Sequence, residues 1–105
     1  MTQLSAPRVR VITEDAGQYV ETVVQTDNRD AVRFDMLRSR KGWPAMKDAP
    51  MLWMTVLAWS AMRREQATDL DVEAFLEAAL QVQPVNEAGD AVGPGDGSQA
   101  AVPFD

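Results

Sequence analysis

The sequence predicts an α+β domain: an N-terminal β-hairpin, then a three-helix bundle, then a disordered acidic C-terminal tail. Three observations predict it. Polar and apolar residues alternate over 8–24, apolar residues recur at helical spacing over 29–82, and glycine and proline crowd the segment after 84. With 105 residues there is room for one small domain, and 46% hydrophobic with 25% charged residues is ordinary globular usage. The reading divides the chain into a flexible N-terminus (1–7), a hairpin plus three-helix domain (8–83) and a Gly/Pro-rich acidic tail (84–105).

The first element is Arg8-Val9-Arg10-Val11-Ile12-Thr13, which alternates with the period of a strand that buries one face. Glu14-Asp15-Ala16-Gly17 supplies turn chemistry, because aspartate tolerates tight turns and glycine accepts positive φ. Tyr19-Val20-Glu21-Thr22-Val23-Val24 returns as the second strand. A hairpin alone is marginal in water, so it must rest on helices or pair with another chain.

Thr26, Asp27 and Asn28 offer N-caps for a helix over 29–40. Ala31, Val32, Phe34, Met36 and Leu37 supply its imperfectly phased apolar surface, while Asp30/Arg33 and Asp35/Arg38 are spaced to pair on the wet side. Gly42 and Pro44 stop it. After a connector, Asp48 is positioned to cap a second helix over 49–65, with Pro50 tolerated in the first turn. Leu52, Val56 and Trp59 form one stripe, and Trp53, Leu57 and Ala61 form another beside it. Met51, Met54, Ala58 and Met62 extend the apolar cover around the cylinder. Thr68 and Asp69 are positioned to cap a third helix over 69–82. Its Val72, Phe75, Leu76, Ala79 and Leu80 make a one-sided stripe that Pro84 terminates.

Residues 84–105 hold four of the six glycines, three of the six prolines, four acids and no base. Such a segment buries too little apolar area to offset roughly 1–2 kcal/mol of backbone entropy per residue.

Composition excludes much chemistry. There is no cysteine and no histidine, which removes disulfides, Cys/His zinc sites, thiol nucleophiles and imidazole acid–base work. No P-loop, GxGxxG or GxSxG spacing occurs. The acidic clusters Asp27/Asp30 and Asp69/Asp71/Glu73 fall where helices are predicted to start, and capping accounts for them without a metal or a cofactor. The reading is therefore of a protein that is not an enzyme. The uncharged run over 49–62 has 14 residues, short of the roughly 20 that span a bilayer, so no membrane is expected. No secretory segment opens the chain, which makes the cytoplasm the default location.

Charge is unevenly placed. All ten Lys and Arg lie in residues 1–64 with seven acids, and residues 65–105 carry nine acids and no base. This balance disfavours nucleic acid as a partner for the whole molecule. The bases of 29–41 are interrupted by Asp30 and Asp35, which favours a solvated, internally paired face over a phosphate-tracking one.

All three tryptophans and five of the six methionines fall between 36 and 62. Any one of these residues reads as core. Together they exceed what a body this small hides, so part of the belt is expected to meet another chain. Leu52, Trp53, Val56 and Trp59 are the expected contact surface, with Trp43 at its rim.

Asn28-Arg29-Asp30-Ala31-Val32-Arg33-Phe34-Asp35, Lys41-Gly42-Trp43-Pro44, Asp48-Ala49-Pro50 and the run from Leu52 to Arg64 resemble the tail assembly chaperones of long-tailed bacteriophages. The likeness is to the short product of the chaperone gene in phages of actinobacteria, and it covers about residues 8–82. The resemblance implies a chaperone that binds the tape measure protein, keeps it soluble and is not retained in the mature virion. It also implies a longer form of the same protein made by programmed ribosomal frameshifting, whose extension engages the tail tube protein. Work in the host cytoplasm follows, and a homo-oligomer is left open. Two other readings stand beside it: a small DNA-binding regulator using the helix at 29–40, and a virion structural or interaction protein.

Overall fold

The computed structural model describes residues 6–86. Its order is β1 (Arg8–Asp15), β2 (Gln18–Gln25), α1 (Asn28–Lys41), α2 (Pro50–Arg64), α3 (Val72–Ala78) and β3 (Ala79–Val85). The fold is α+β: a three-stranded antiparallel sheet in the order β2-β1-β3, with α2 and α3 packed on it and α1 packed on α2.

The hairpin forms as its sequence requires. Ala16 (φ 54°) and Gly17 (φ 82°) make a two-residue turn with both φ positive, the geometry whose twist matches the flanking strands. Register runs unbroken from Arg8 opposite Gln25 to Asp15 opposite Gln18. Val9, Val11 and Val24 point inward and are buried.

Asp27 is the cap of α1. Its carboxylate accepts the Arg29 N–H at 2.9 Å, and Asp30 Oδ2 accepts the Asp27 N–H at 2.9 Å, a reciprocal capping box. Gly42 ends the helix in the left-handed region (φ 73°), where its N–H reaches the Arg38 carbonyl. The expected Asp48 cap of α2 is corrected: Ala49 occupies that position and makes no side-chain cap bond, while Pro50 begins the helix. Prolines suit this place because the first-turn N–H has no partner to lose.

The third helix is the main correction. It spans only seven residues and gives way to β3, so the predicted three-helix bundle is a helix pair and a short helix packed on a sheet. Val72 and Phe75 are buried as their spacing implied, but Leu80, the far end of the same stripe, is half exposed. The competing signal is Gln81-Val82-Gln83-Pro84-Val85, which alternates and lies antiparallel to β1. β1 buries Val9 and Val11 completely and gains its second neighbour this way. Pro84 cannot continue a helix but is tolerated on an edge strand, where no outward N–H is required. The cap of α3 is accordingly Asp71, which accepts the Ala74 N–H at 2.8 Å, and not Thr68 or Asp69.

The expected tail boundary moves as well, since Pro84 and Val85 belong to the sheet. The rest of the predicted tail, from 87 onward, and residues 1–5 of the predicted N-terminus lie outside the described residues. Pro7 is tied down. Its carbonyl accepts both the backbone N–H (3.1 Å) and the hydroxyl (2.6 Å) of Thr26.

Candidate functional site

The Trp/Met belt divides in two. Residues 56–62 of α2 are buried without interruption. Val56 is fully enclosed. Trp59 is 7% exposed, and its indole N–H donates to the Leu70 carbonyl at 2.8 Å, with the Arg33 guanidinium 5.7 Å from its ring centroid. Both were expected to face a partner, and both belong to the core instead. The reason is geometric: α2 touches α1, α3 and all three strands, so its C-terminal half is covered on every side.

The N-terminal half keeps an open face. Leu52, Trp53 and Met54 are half-buried against the core, and Met51 is 51% exposed. Trp43 is half-buried. Its ring stacks on Phe34 at 6.4 Å between centroids, and the Lys41 ammonium lies 5.8 Å from it. Met46, in the connector, is also exposed.

Sequence reasoning placed Met36 in the belt but named no α1 residue in the contact surface. Trp53 and Leu57 line an open groove of about 310 Å³ together with Ala6, Pro7, Asp27, Asn28 and Ala31. Next along α1 is a second depression, lined by Val32, Asp35, Met36, Ser39 and Arg40. Ala31 and Asp35, like Val32 and Met36, are four apart and share a helix face, so the two depressions adjoin. Met36 is 60% exposed and Val32 is also exposed. The available signal was the imperfect phasing of the α1 apolar residues: Phe34 faces the core while Val32 and Met36 face away from it.

Three of the five basic residues of α1 are engaged within the molecule. Arg29 meets Asp27 at 2.6 Å, Arg33 lies over Trp59 and Lys41 meets Glu73 at 2.7 Å. The Arg29 side chain, hydrogen-bonded to Asp27, holds that carboxyl at about 2, and the Arg29 pKa is raised in return.

Asp30 was expected to pair with Arg33 in solvent. It is completely buried and faces α2, accepting the Ser60 hydroxyl at 2.6 Å and Arg64 Nη1 at 2.5 Å. Arg64 also reaches the Gln25 carbonyl at 3.4 Å and Asp27 at 3.4 Å. This cluster fastens the start of α1 and the end of β2 to the last turn of α2. The buried Asp30 carboxylate and Ser60 hydroxyl both find partners within it, which makes it a structural tie.

Among the described residues, no group of three or more acids could hold a metal ion, and no helix is long and apolar enough to cross a membrane. Comparison with protein-family models, with curated proteins and with solved structures finds no match to this chain.

Proposed function

We propose that this chain is a tail assembly chaperone that holds the tape measure protein in solution during phage tail morphogenesis. The contact surface is the joined pair of depressions on α1 and α2, with Trp53 and Met36 as its main apolar contributors, Leu52 beside them and Trp43 at the rim. The observation that carries the reading is the exposure of Met36 and Val32 in a depression one helical turn along α1 from a tryptophan-lined groove. The sequence resemblance supplies the identity of the client.

The physics suits such a role. A long helical client presents apolar stripes of varied shape, and methionine adapts to such surfaces because its side chain is unbranched and polarizable. Many copies binding weakly along one client give strong total coverage while each copy stays replaceable. The protein acts by contact and turns over no substrate. It works in the host cytoplasm and leaves before the virion is complete. A longer frameshifted form of the chain carries the link to the tail tube protein.

The test is co-expression with the long helical protein encoded just downstream. The parent chain is expected to raise the soluble yield of that protein and to co-purify with it. The double variant Trp53→Ser/Met36→Ser is expected to lose at least most of that yield while keeping its circular dichroism spectrum. A client whose solubility is indifferent to the parent chain would sink the proposal.

A further inference from the structure

The two edges of the sheet are built differently. β3 carries Pro84, which has no N–H to offer, and its register against β1 shifts between Ile12 and Thr13. Both features blunt an edge. β2 has neither proline nor lysine, pairs with β1 in unbroken register, and has no neighbour on its other side among the described residues. Its one charge, Glu21, lies 3.8 Å from Arg10 of β1. Tyr19, Val20 and Val23, all on this strand, are exposed, Tyr19 at 76%.

The main chain shows which groups are available. The Thr26 N–H bonds to Pro7, on the β1 side. Successive residues of an antiparallel strand turn their N–H and C=O to opposite sides, so residues 20, 22 and 24 face β1. Tyr19, Glu21 and Val23 therefore turn theirs toward the open edge. The Gln25 N–H turns the same way, while the Gln25 carbonyl already meets Arg64 at 3.4 Å.

We propose that β2 is where a second copy of this chain adds, antiparallel, to join two three-stranded sheets into one of six strands. A two-fold axis normal to the sheet keeps both helical layers on the same side, so inward residues must oppose inward residues. Centred on Thr22, the register sets Glu21 against Val23 of the second copy, both with open main-chain groups, and Tyr19 against its Gln25, whose N–H is open. Val20 then faces Val24, and Thr22 faces its own counterpart, both favourable pairings. Centring on Glu21 would set two carboxylates against each other. The Thr22 register joins the most edge groups and opposes no like charges. One eight-residue edge makes a contact smaller than a standard interface, so the dimer is reversible and depends on concentration. This inference stands apart from the chaperone reading.

The chain has no cysteine, so introduced thiols report without background. Full-length chains carrying Glu21→Cys and chains carrying Val23→Cys are mixed and oxidised. The hydrogen-bonded pair between them has Cα atoms about 5.5 Å apart, within disulfide reach, whereas each variant paired with itself sits two residues out of line. The mixed disulfide is expected to exceed either homodimer at least tenfold, and light scattering of the parent chain should show mass rising with concentration. Both positions are exposed, and circular dichroism checks that the variants fold. A parent monomeric at every concentration overturns the proposal, including the case in which the edge takes an extended segment of another protein. Dominance of the Glu21→Cys homodimer overturns the register.

Discussion

The two halves of α2 are both strongly apolar and have opposite fates. Residues 50–55 include no buried residue, whereas residues 56–62 are buried throughout. The difference comes from neighbours. The C-terminal half is enclosed by other elements and pinned by two polar ties, Trp59 to Leu70 and Ser60 to Asp30. The N-terminal half leads in from the connector, keeps Met51 in solvent and turns Trp53 toward a groove. An all-round apolar helix states how much cover it needs; the surrounding chain decides which turns receive it.

The strongest way to break this contrast is to truncate one tryptophan in each half. Trp59→Ala is expected to lower unfolding free energy by about 3–5 kcal/mol, since it opens a core cavity and leaves the Leu70 carbonyl without its donor. Trp53→Ala is expected to cost about 1 kcal/mol, because part of its side chain already meets water. Urea denaturation of the two variants measures both, and equal losses would erase the distinction between the halves.

Asp30→Ala comes next, at about 3 kcal/mol by the same measurement. It strands the Ser60 hydroxyl and the Arg64 guanidinium, although Arg64 is partly exposed and recovers some hydration. A smaller effect is expected of Gly42→Ala, about 1 kcal/mol. An added Cβ there meets nothing within 4 Å, so the cost is that of the left-handed backbone alone. This variant perturbs the approach to the exposed half and should leave the buried half intact by near-UV circular dichroism.

The smallest effect concerns acid. Asp27 is held at about 2, below its ordinary 3.8, by its hydrogen bond to Arg29. A carboxyl lowered on folding contributes stability that is complete above the unfolded value, and that contribution is lost as pH falls from about 4 through 2. Asp27→Asn should therefore unfold more easily than the parent at neutral pH, and the gap should narrow across that window in an acid denaturation series.

Much of the architecture was legible from local signals. The hairpin with its Ala16-Gly17 turn, the Asp27/Asp30 start of α1, the Gly42 stop and the Pro50 start of α2 depend on chemistry within a few residues. What failed depended on distant partners. Val72 to Leu80 has helical period, yet β1 recruits the alternating stretch beyond it, and a window read alone cannot register that demand. Two of the five expected contact residues failed in the same manner. Val56 and Trp59 have the same side chains as a binding stripe would have, and only the packing of α3 and the sheet removes them from solvent. Trp53 and Trp43 remain half-exposed; of the α1 residues, Met36 was counted in the belt without being named a contact, and Val32 entered unannounced.

The pairing of β1 with β3 joins residues near the two ends of the described chain, Arg8 opposite Val85. Ribosomal synthesis delivers the first strand early and the last strand last. The hairpin, α1 and α2 can thus assemble while the middle strand still lacks a neighbour, and closure waits until residue 85 has emerged. Every nascent copy passes through an interval in which this gap is open to any extended segment nearby, its own or another's.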